Sequence, residues 1–254
     1  MIRGIGEIDV PPPLLKKLPQ GLLTVMTTKR AIVTDSSRRA KAGPATDDSG
    51  PHPLRGATFV IGAAAPAQLP MEGAPEIAFA GRSNAGKSSA INALALRTRL
   101  AFASRTPGRT QQINLFLLRS GALIADLPGY GYAAVAKNIK KVWQDFLWHY
   151  TTTRSTLVAL VHVVDSRHGL KDTDLELLRG YVPSGRPVLI LATKADKLTT
   201  AEQRRSLRDI EAQIKVWFPA MGNVLVQLFS SSTRQGVPEA ERTIAQWLPD
   251  APGI

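Results

Sequence analysis

The 254-residue chain contains no cysteine. It therefore cannot form a disulfide framework, a thiolate metal site or a cysteine nucleophile, and this composition fits a reducing cytoplasm. Aromatic residues make up only 6% of the chain, and no apolar run approaches the roughly 20 residues that a membrane-spanning helix needs. The first ten residues carry acids and no continuous apolar stretch, so they do not resemble a secretory signal. These absences exclude a disulfide scaffold, a thiol enzyme and a helical membrane protein.

Acidic residues are also fewer than basic ones. The chain has 32 Lys and Arg but only 20 Asp and Glu, which gives a formal charge of +12. Residues 1–55 hold nine Lys or Arg and five Asp or Glu, so about +8 belongs to the rest of the chain. A strongly basic surface is typical of proteins with a polyanionic partner such as RNA. The alternative is a soluble protein that is merely basic.

The first 55 residues contain Pro11-Pro12-Pro13, Gly43-Pro44 and Pro51-His52-Pro53. No helical or strand periodicity persists through such turn signals. We expect a disordered, basic and proline-rich extension over 1–55, a globular domain over 56–250 and a short tail over 251–254. Met26 fits a start as well as Met1 does.

From residue 57 onward, segments with strand patterns alternate with segments of helical periodicity. Predicted strands cover 57–61, 77–80, 112–118, 121–127, 157–164, 188–192 and 224–229, and predicted helices cover 88–96, 135–150, 172–179, 200–217 and 238–247. Asp172 and Thr200 are the expected N-caps of their helices. This alternation predicts an α/β fold with a doubly wound, mostly parallel sheet and helices on both faces. The hairpin at 112–127 implies one antiparallel strand. In the predicted helix 135–150, we assign Trp143 and Trp148 to helix packing rather than to base stacking.

One stretch directly after a predicted strand matches the phosphate-binding pattern G-x-x-x-x-G-K-[ST]. In such loops backbone N–H groups surround a polyphosphate, the lysine reaches the β- and γ-phosphates, and the hydroxyl binds Mg²⁺. The helix that follows points its positive end at the same phosphates. The alternative is a glycine-rich turn that matches by accident. The predicted phosphate-binding residues are Gly81, Arg82, Ser83, Asn84, Ala85, Gly86, Lys87 and Ser88.

Three later segments also follow predicted strands, where open α/β sheets bind ligands. In Asp126-Leu127-Pro128-Gly129, the carboxylate is suited to holding Mg²⁺ through water and the glycine N–H to sensing a γ-phosphate. In Thr193-Lys194-Ala195-Asp196, the last carboxylate can accept two hydrogen bonds from guanine and reject adenine, while the lysine stem covers the base. After the final strand, a backbone N–H of Phe229-Ser230-Ser231-Ser232 can meet guanine O6. Together these segments indicate a GTPase; an adenine-nucleotide kinase is the other class that shares the phosphate loop.

The motifs as a set resemble the EngB family of bacterial GTPases, also called YihA or YsxC. The resemblance covers about 57–250 and is carried by 81–89, 106–111, 126–131, 165–170 and 193–196. It implies a P-loop NTPase with a Ras-like G domain that binds Mg²⁺ and GTP. It also implies a role in large ribosomal subunit assembly and normal division-septum formation, with ribosomal RNA or subunit precursors as partners. The sequence has no long coiled-coil pattern, so we expect a monomer. The alternative is a switch of the division apparatus that has no direct contact with RNA.

The resemblance further implies that Thr110 joins Ser88 on Mg²⁺, and that Lys87, Thr110 and Gly129 act in catalysis. The first switch would contribute five residues to the nucleotide site: Gly108, Arg109, Thr110, Gln111 and Gln112. Asn84 resembles the K⁺ ligand of GTPases that use this ion in place of an arginine finger, although it can equally serve only the loop turn. Arg109 is either an in-chain finger or simply solvated.

Two positions depart from the common GTPase pattern. Tyr130 follows D-x-x-G where many GTPases have a water-orienting glutamine, so we expect slow hydrolysis, on the order of 10⁻⁴ to 10⁻² s⁻¹. Thr193 stands where the guanine motif usually has asparagine. A single hydroxyl should support the loop less well than an amide without changing the choice of base.

Overall fold

The computed structural model of the chain describes residues 54–70, 73–101, 112–131, 137–220 and 222–248, with the side chains of 137–144 excepted. Seven strands and five α-helices form within these ranges. The strands are β1 (Thr58–Ala63), β2 (Glu76–Gly81), β3 (Ile113–Leu117), β4 (Leu123–Asp126), β5 (Leu157–Asp165), β6 (Val188–Thr193) and β7 (Val224–Leu228). The helices are α1 (Lys87–Leu94), α2 (Lys137–Thr153), α3 (Asp172–Tyr181), α4 (Thr200–Trp217) and α5 (Val237–Ala245).

All seven described strands join one sheet in the order β1-β3-β4-β2-β5-β6-β7. Only β3 runs against the others, since it pairs antiparallel with both β1 and β4 while every other pair is parallel. This confirms the predicted α/β sheet with a single antiparallel strand. The strand β2 lies between β4 and β5, so three strand ends meet at one edge of the sheet, where such folds bind ligands.

The two faces of the sheet carry separate apolar cores, as the residues of β2 show. Ala78 and Ala80 face one core, whereas Ile77 and Phe79 face the other, and all four are fully buried. A strand that is covered on both sides reads as a continuous apolar run because neither alternating set can be polar. Helices α2, α3 and α4 cover the first face through Phe146, Leu147, Tyr150, Leu178, Tyr181, Ile210 and Ile214. Helices α1 and α5 cover the second through Ile91, Leu94, Ala240 and Ile244.

Both predicted N-caps are wrong by one residue. Helix α4 begins after Thr199, whose side chain accepts from the Glu202 N–H at 3.4 Å while its own N–H donates to Glu202 Oε2 at 2.8 Å. Helix α3 begins after Lys171, whose N–H donates to Asp174 Oδ2 at 2.8 Å. The Thr199–Glu202 pair is a reciprocal cap, which requires an acid three residues after the capping position. At Lys171 the acid at the same spacing accepts from the backbone N–H alone, because a lysine side chain has no acceptor to return the bond.

The predicted extension falls almost entirely outside the described residues, as does the tail, so the disorder of the extension stays a prediction. Leu54, the first described residue, is fully buried in the core beneath α1 and α5. Trp148 is half-exposed, but its ring packs on α3 so closely that a Cβ on Gly180 would lie 2.5 Å from it. The side chain of Trp143 lies outside the described set. No helix in the described part of the chain is long and apolar enough to cross a membrane.

A buried charge cluster fixes the start of β2 to the end of α2. Glu76 is fully buried and accepts hydrogen bonds from Arg154 Nη2 at 2.5 Å, Tyr150 Oη at 2.5 Å and Thr156 Oγ1 at 2.9 Å. Burial, together with the neighbouring Glu76 carboxylate, raises the pKa of Tyr150 well above its usual value, so the phenol stays a donor. Arg154 Nη1 also donates to the carbonyl of Pro70 at 2.6 Å. The cluster therefore joins three segments of the chain behind the strand that carries the phosphate loop.

Replacing Glu76 with Gln should lower the free energy of unfolding by about 3 kcal/mol, because the Arg154 guanidinium would remain buried without its counter-charge. Denaturant unfolding would measure the loss. The matched control is Glu239→Gln, which removes an exposed carboxylate 3.5 Å from Arg242 and should leave stability nearly unchanged. Equal losses of stability for the two substitutions would contradict a stabilising role for the buried Glu76–Arg154 pair.

Candidate nucleotide site

The phosphate-loop motif forms the connection between β2 and α1. Gly81 ends β2 beside β5, where a Cβ would lie 2.5 Å from the carbonyl oxygen of Val163. Asn84 and Gly86 have φ values of 65° and 100°, in the left-handed region that glycine and asparagine tolerate. Gly86 occupies the N-cap position of α1, so the unpaired amides of the first helical turn face the loop. The local backbone therefore has the shape that an anion-binding loop requires.

Two of the predicted phosphate and magnesium ligands, Lys87 and Asp126, are in direct contact. Lys87 Nζ forms an ion pair with Asp126 Oδ1, and both side chains are almost buried, at 11% and 6% exposure. Ser88 is the next residue on the first turn of α1. Among the described residues there is no group of three His, Asp or Glu side chains able to hold a metal. A hydroxyl and one carboxylate suit Mg²⁺, which commonly completes its shell with water and phosphate oxygens.

The segment Asp126–Tyr130 continues alongside the phosphate loop after β4 ends. The Leu127 N–H donates to the carbonyl of Phe79 at 3.0 Å, and the Ser83 N–H donates to the carbonyl of Tyr130 at 2.9 Å. Within this segment Pro128 is buried, whereas Gly129 is exposed. A Cβ on Gly129 would lie 3.2 Å from Ser83 Cα, so glycine allows this close approach. The second-switch segment and the phosphate loop therefore form one continuous surface.

The guanine motif is attached directly to the phosphate loop. The Thr193 hydroxyl lies within hydrogen-bond distance of the Ala85 carbonyl and 2.9 Å from that of Val164. Because a hydroxyl has one proton, it can donate to only one of them at a time, whereas an asparagine amide has two N–H groups. This supports the expectation of weaker loop support. Lys194 Nζ donates to the Asn84 carbonyl at 2.6 Å, so its stem extends from the end of β6 to the phosphate loop.

Asp196 is held in place by the segment that follows β7. The buried Ser230 hydroxyl donates to Asp196 Oδ1 at 2.7 Å, and this hydrogen bond is the main reason that the pKa of Asp196 lies below its usual value. Ala195 and Phe229 are fully buried, and the Ala195 N–H donates to the Phe229 carbonyl at 3.2 Å. The carboxylate is thus ionised and oriented at the tip of β6.

The backbone N–H of Ser230 donates to the Gln235 carbonyl at 2.9 Å. The Ser230 N–H is therefore already bonded, and Ser230 contributes its hydroxyl to Asp196. The backbone N–H predicted to contact guanine O6 is then that of Ser231 or Ser232. Four predicted first-switch residues lie outside the described part of the chain: Gly108, Arg109, Thr110 and Gln111. Gln112 is described, and its exposed side chain lies over Gly62 of β1.

Asp165 is a site residue to which the sequence analysis assigned no role. It ends β5, and its Oδ2 accepts from Lys194 Nζ at 2.9 Å and from Arg167 Nη2 at 2.7 Å. Partial burial opposes ionisation, but the hydrogen bonds from Arg167 and Lys194 outweigh it and hold the pKa of Asp165 well below its usual range. A cleft of about 230 Å³ lies between this carboxylate and the phosphate loop. The position of Asp165 at a strand tip was the signal that could have identified it.

The phosphate-binding loop contacts an acid at the tip of one strand and the Thr-Lys-Ala-Asp segment at the tip of another. This is the arrangement of a P-loop GTP-binding domain. The family model described as "50S ribosome-binding GTPase" matches residues 76–194. The chain is 49% identical over 195 residues to the "Probable GTP-binding protein EngB" of Azoarcus sp. (strain BH72), covering 77% of this chain and 92% of that protein. It is 49% identical over 173 residues to the protein of the same name from Neisseria meningitidis serogroup B, covering 68% and 82%. The chain belongs to the EngB family of GTP-binding proteins.

Solved structures with low sequence identity show the same fold. A crystal structure of a probable GTP-binding protein engB aligns with a TM-score of 0.56 at 21% identity, covering 67% of this chain and 97% of that one. Era, crystallised with MgGDPNP and nucleotides of 16S ribosomal RNA, aligns with a TM-score of 0.55 at 18% identity, covering 72% of this chain and 59% of that one. At these identities the alignments confirm the predicted G-domain fold.

Replacing Asp196 with Asn should weaken GTP binding by roughly a hundredfold, since one acceptor for the guanine N1–H and amino group becomes a donor. The new amide suits the C2 carbonyl of xanthine, so affinity for xanthosine triphosphate should rise. Equilibrium titration with both nucleotides measures this exchange. Asp209→Asn, an exposed acid on α4, is the control, and unchanged GTP affinity in Asp196→Asn would contradict the base assignment.

Proposed function

We propose that this protein is a slow GTPase switch that acts in assembly of the large ribosomal subunit and is required for normal division-septum formation. The observation that carries the nucleotide part of the proposal is the direct connection of the base motif to the phosphate loop through Lys194 and Asn84. Because the two motifs are joined by this contact, the base and the phosphates of one nucleotide would bind in a single site. The ribosomal part draws support from the description of the family model, and this role would place the protein in the cytoplasm.

In this proposal the triphosphate replaces Asp126 as the partner of the Lys87 ammonium. Ser88 and Thr110 would bind Mg²⁺ directly and Asp126 through water, and the ion would neutralise charge that develops on the phosphates. Gly129 would place its N–H toward the γ-phosphate. Lys87, Thr110 and Gly129 therefore remain the proposed catalytic residues.

Slow hydrolysis is supported by the direction of the Tyr130 side chain. Its hydroxyl donates its one proton to Asp174 Oδ1 at 2.6 Å, while the Tyr130 backbone contacts the phosphate loop. Burial and the Asp174 carboxylate raise the pKa of Tyr130 well above its usual value, so the phenol cannot act as a base near neutral pH. The side chain that occupies the usual glutamine position is thus unavailable to orient or deprotonate water.

Contact with ribosomal RNA is supported by the basic composition of the domain and by exposed arginines such as Arg204, Arg205 and Arg208 on α4. The competing function is a GTP-dependent partner of the division apparatus that does not touch RNA. It shares the nucleotide site but has no need of a basic surface. The two functions differ in how binding to large ribosomal subunits should respond to nucleotide and salt.

Protein loaded with a non-hydrolysable GTP analogue should sediment with large ribosomal subunits at low salt, and GDP-loaded protein should sediment less. With about four phosphate contacts, the affinity should fall roughly a hundredfold for a fourfold rise in salt. Asp196→Asn should co-sediment with a xanthosine triphosphate analogue and not with the GTP analogue. Absence of co-sedimentation at low salt would favour the division partner.

The K⁺ hypothesis for Asn84 yields a separate prediction. Asn84 is exposed, and its left-handed backbone is compatible with both the ion-binding and the loop-turn roles. If Asn84 binds the ion, hydrolysis should be severalfold faster in K⁺ than in Na⁺ at equal ionic strength. Asn84→Gly keeps a residue that tolerates positive φ and removes the amide, so it should abolish the difference. Equal wild-type rates in the two salts would leave Asn84 with the loop-turn role alone.

A further inference from the structure

The buried strand β5 contains a single polar side chain within its apolar run. His162 is fully buried and lies on the sheet face covered by α2, α3 and α4, since it alternates with residues of the opposite core. A buried polar group destabilises the fold unless it is hydrogen-bonded. Its partners therefore indicate what the histidine does at this position.

His162 belongs to a three-residue network that ends on the second-switch segment. Tyr130 Oη donates to Asp174 Oδ1 at 2.6 Å, and His162 Nε2 lies 3.1 Å from the same oxygen and 3.2 Å from Tyr130 Oη. The Lys171 N–H donates to the other carboxylate oxygen at 2.8 Å. Asp174, on the first turn of α3, is fully buried. One carboxylate thus holds a switch residue, a strand residue and a helix start together.

The protonation states of the network are set by these contacts. Burial opposes ionisation of Asp174, but the hydrogen bonds from His162, Tyr130 and Lys171 lower its pKa below the usual value. His162 must carry a proton on Nε2, because that atom faces a carboxylate oxygen. Among the described residues, no group hydrogen-bonds to His162 Nδ1. Tyr130 is therefore bound through a charge-assisted hydrogen bond, the stronger kind.

The backbone of the same tyrosine is bound to the phosphate loop. Its carbonyl accepts from the Ser83 N–H at 2.9 Å, and its N–H lies 3.4 Å from the Gly81 carbonyl. The preceding residue, Gly129, packs against Ser83. Since the side chain is anchored to α3 and the backbone to the loop, the position of Gly129 depends on both attachments.

We propose that Tyr130 is a positioning residue of the triphosphate site. Its hydroxyl, bound to Asp174 and His162, holds Gly129 beside the phosphate loop before the nucleotide arrives. Preorganisation of this kind increases affinity because less ordering accompanies binding. In the proposed function Gly129 meets the γ-phosphate, so a nucleotide with that phosphate gains from this arrangement and a diphosphate does not. The inference rests on the proposed GTP-binding function.

The test is the affinity of Tyr130→Phe for GDP and for a non-hydrolysable GTP analogue. The substitution keeps the ring and removes the hydroxyl, so analogue affinity should fall about three- to tenfold, the effect of one hydrogen bond, with GDP affinity unchanged. The matched control is Tyr181→Phe on α3, which removes a buried hydroxyl that has no hydrogen-bond partner among the described residues. It should leave both affinities at their wild-type values.

A double-mutant cycle with Asp174→Asn tests whether Tyr130 acts through Asp174. Coupled residues should lose less analogue affinity together than the sum of their separate losses. Thermal unfolding of each variant identifies loss of the fold. Unchanged analogue affinity, tighter analogue binding, or equal losses for GDP and analogue in Tyr130→Phe would overturn the inference. Failure of the wild-type protein to bind GTP would instead overturn the proposed function.

Discussion

The site depends on the attachment of the guanine motif to the phosphate loop. Thr193 and Lys194 leave the end of β6 and reach the carbonyls of Ala85 and Asn84, which belong to the loop after β2. These contacts require β2, β5 and β6 to be parallel neighbours, because only then do their carboxyl ends meet at one edge. Asp165, at the tip of the intervening strand, completes the connection by accepting from Lys194.

Buried charge fixes the parts of the domain that apolar packing leaves adjustable. Glu76 joins β2 to the end of α2, and Asp174 joins the start of α3 to His162 and Tyr130. Apolar contacts have little directional preference, so alone they permit small shifts of a helix over a sheet. A buried carboxylate with several donors permits far fewer positions, since each lost hydrogen bond leaves an unpaired polar group. Both clusters lie behind segments that form the nucleotide site.

The sequence predicted the fold class because its dominant signals are local. Continuous apolar runs such as Leu157–Val164 indicate strands buried on both faces, and the hairpin at 112–127 indicated the one antiparallel strand. Gly81 and Gly86 were recognised from a motif whose backbone shape needs glycine. The N-caps Lys171 and Thr199 were missed by one residue, because Thr199 and Thr200 are equally good capping types and lysine is not a usual capping residue. The hydrogen bonds from the backbone N–H groups of Thr199 and Lys171 to the carboxylates of Glu202 and Asp174 identify the caps in the structure.

The sequence alone indicated the kind of ligand and the strand ends that would bind it, since motif spacing and residue chemistry are properties of short segments. Which side chains meet across the sheet follows only from the tertiary structure. Asp165 beside Lys194, and His162 beside Asp174 and Tyr130, are contacts between strands, loops and helices up to 44 residues apart. Periodicity assigns a residue to a face of its own element, but it carries no information about the neighbouring element. The strand order β4-β2-β5-β6, set by packing of the whole chain, determines those neighbours.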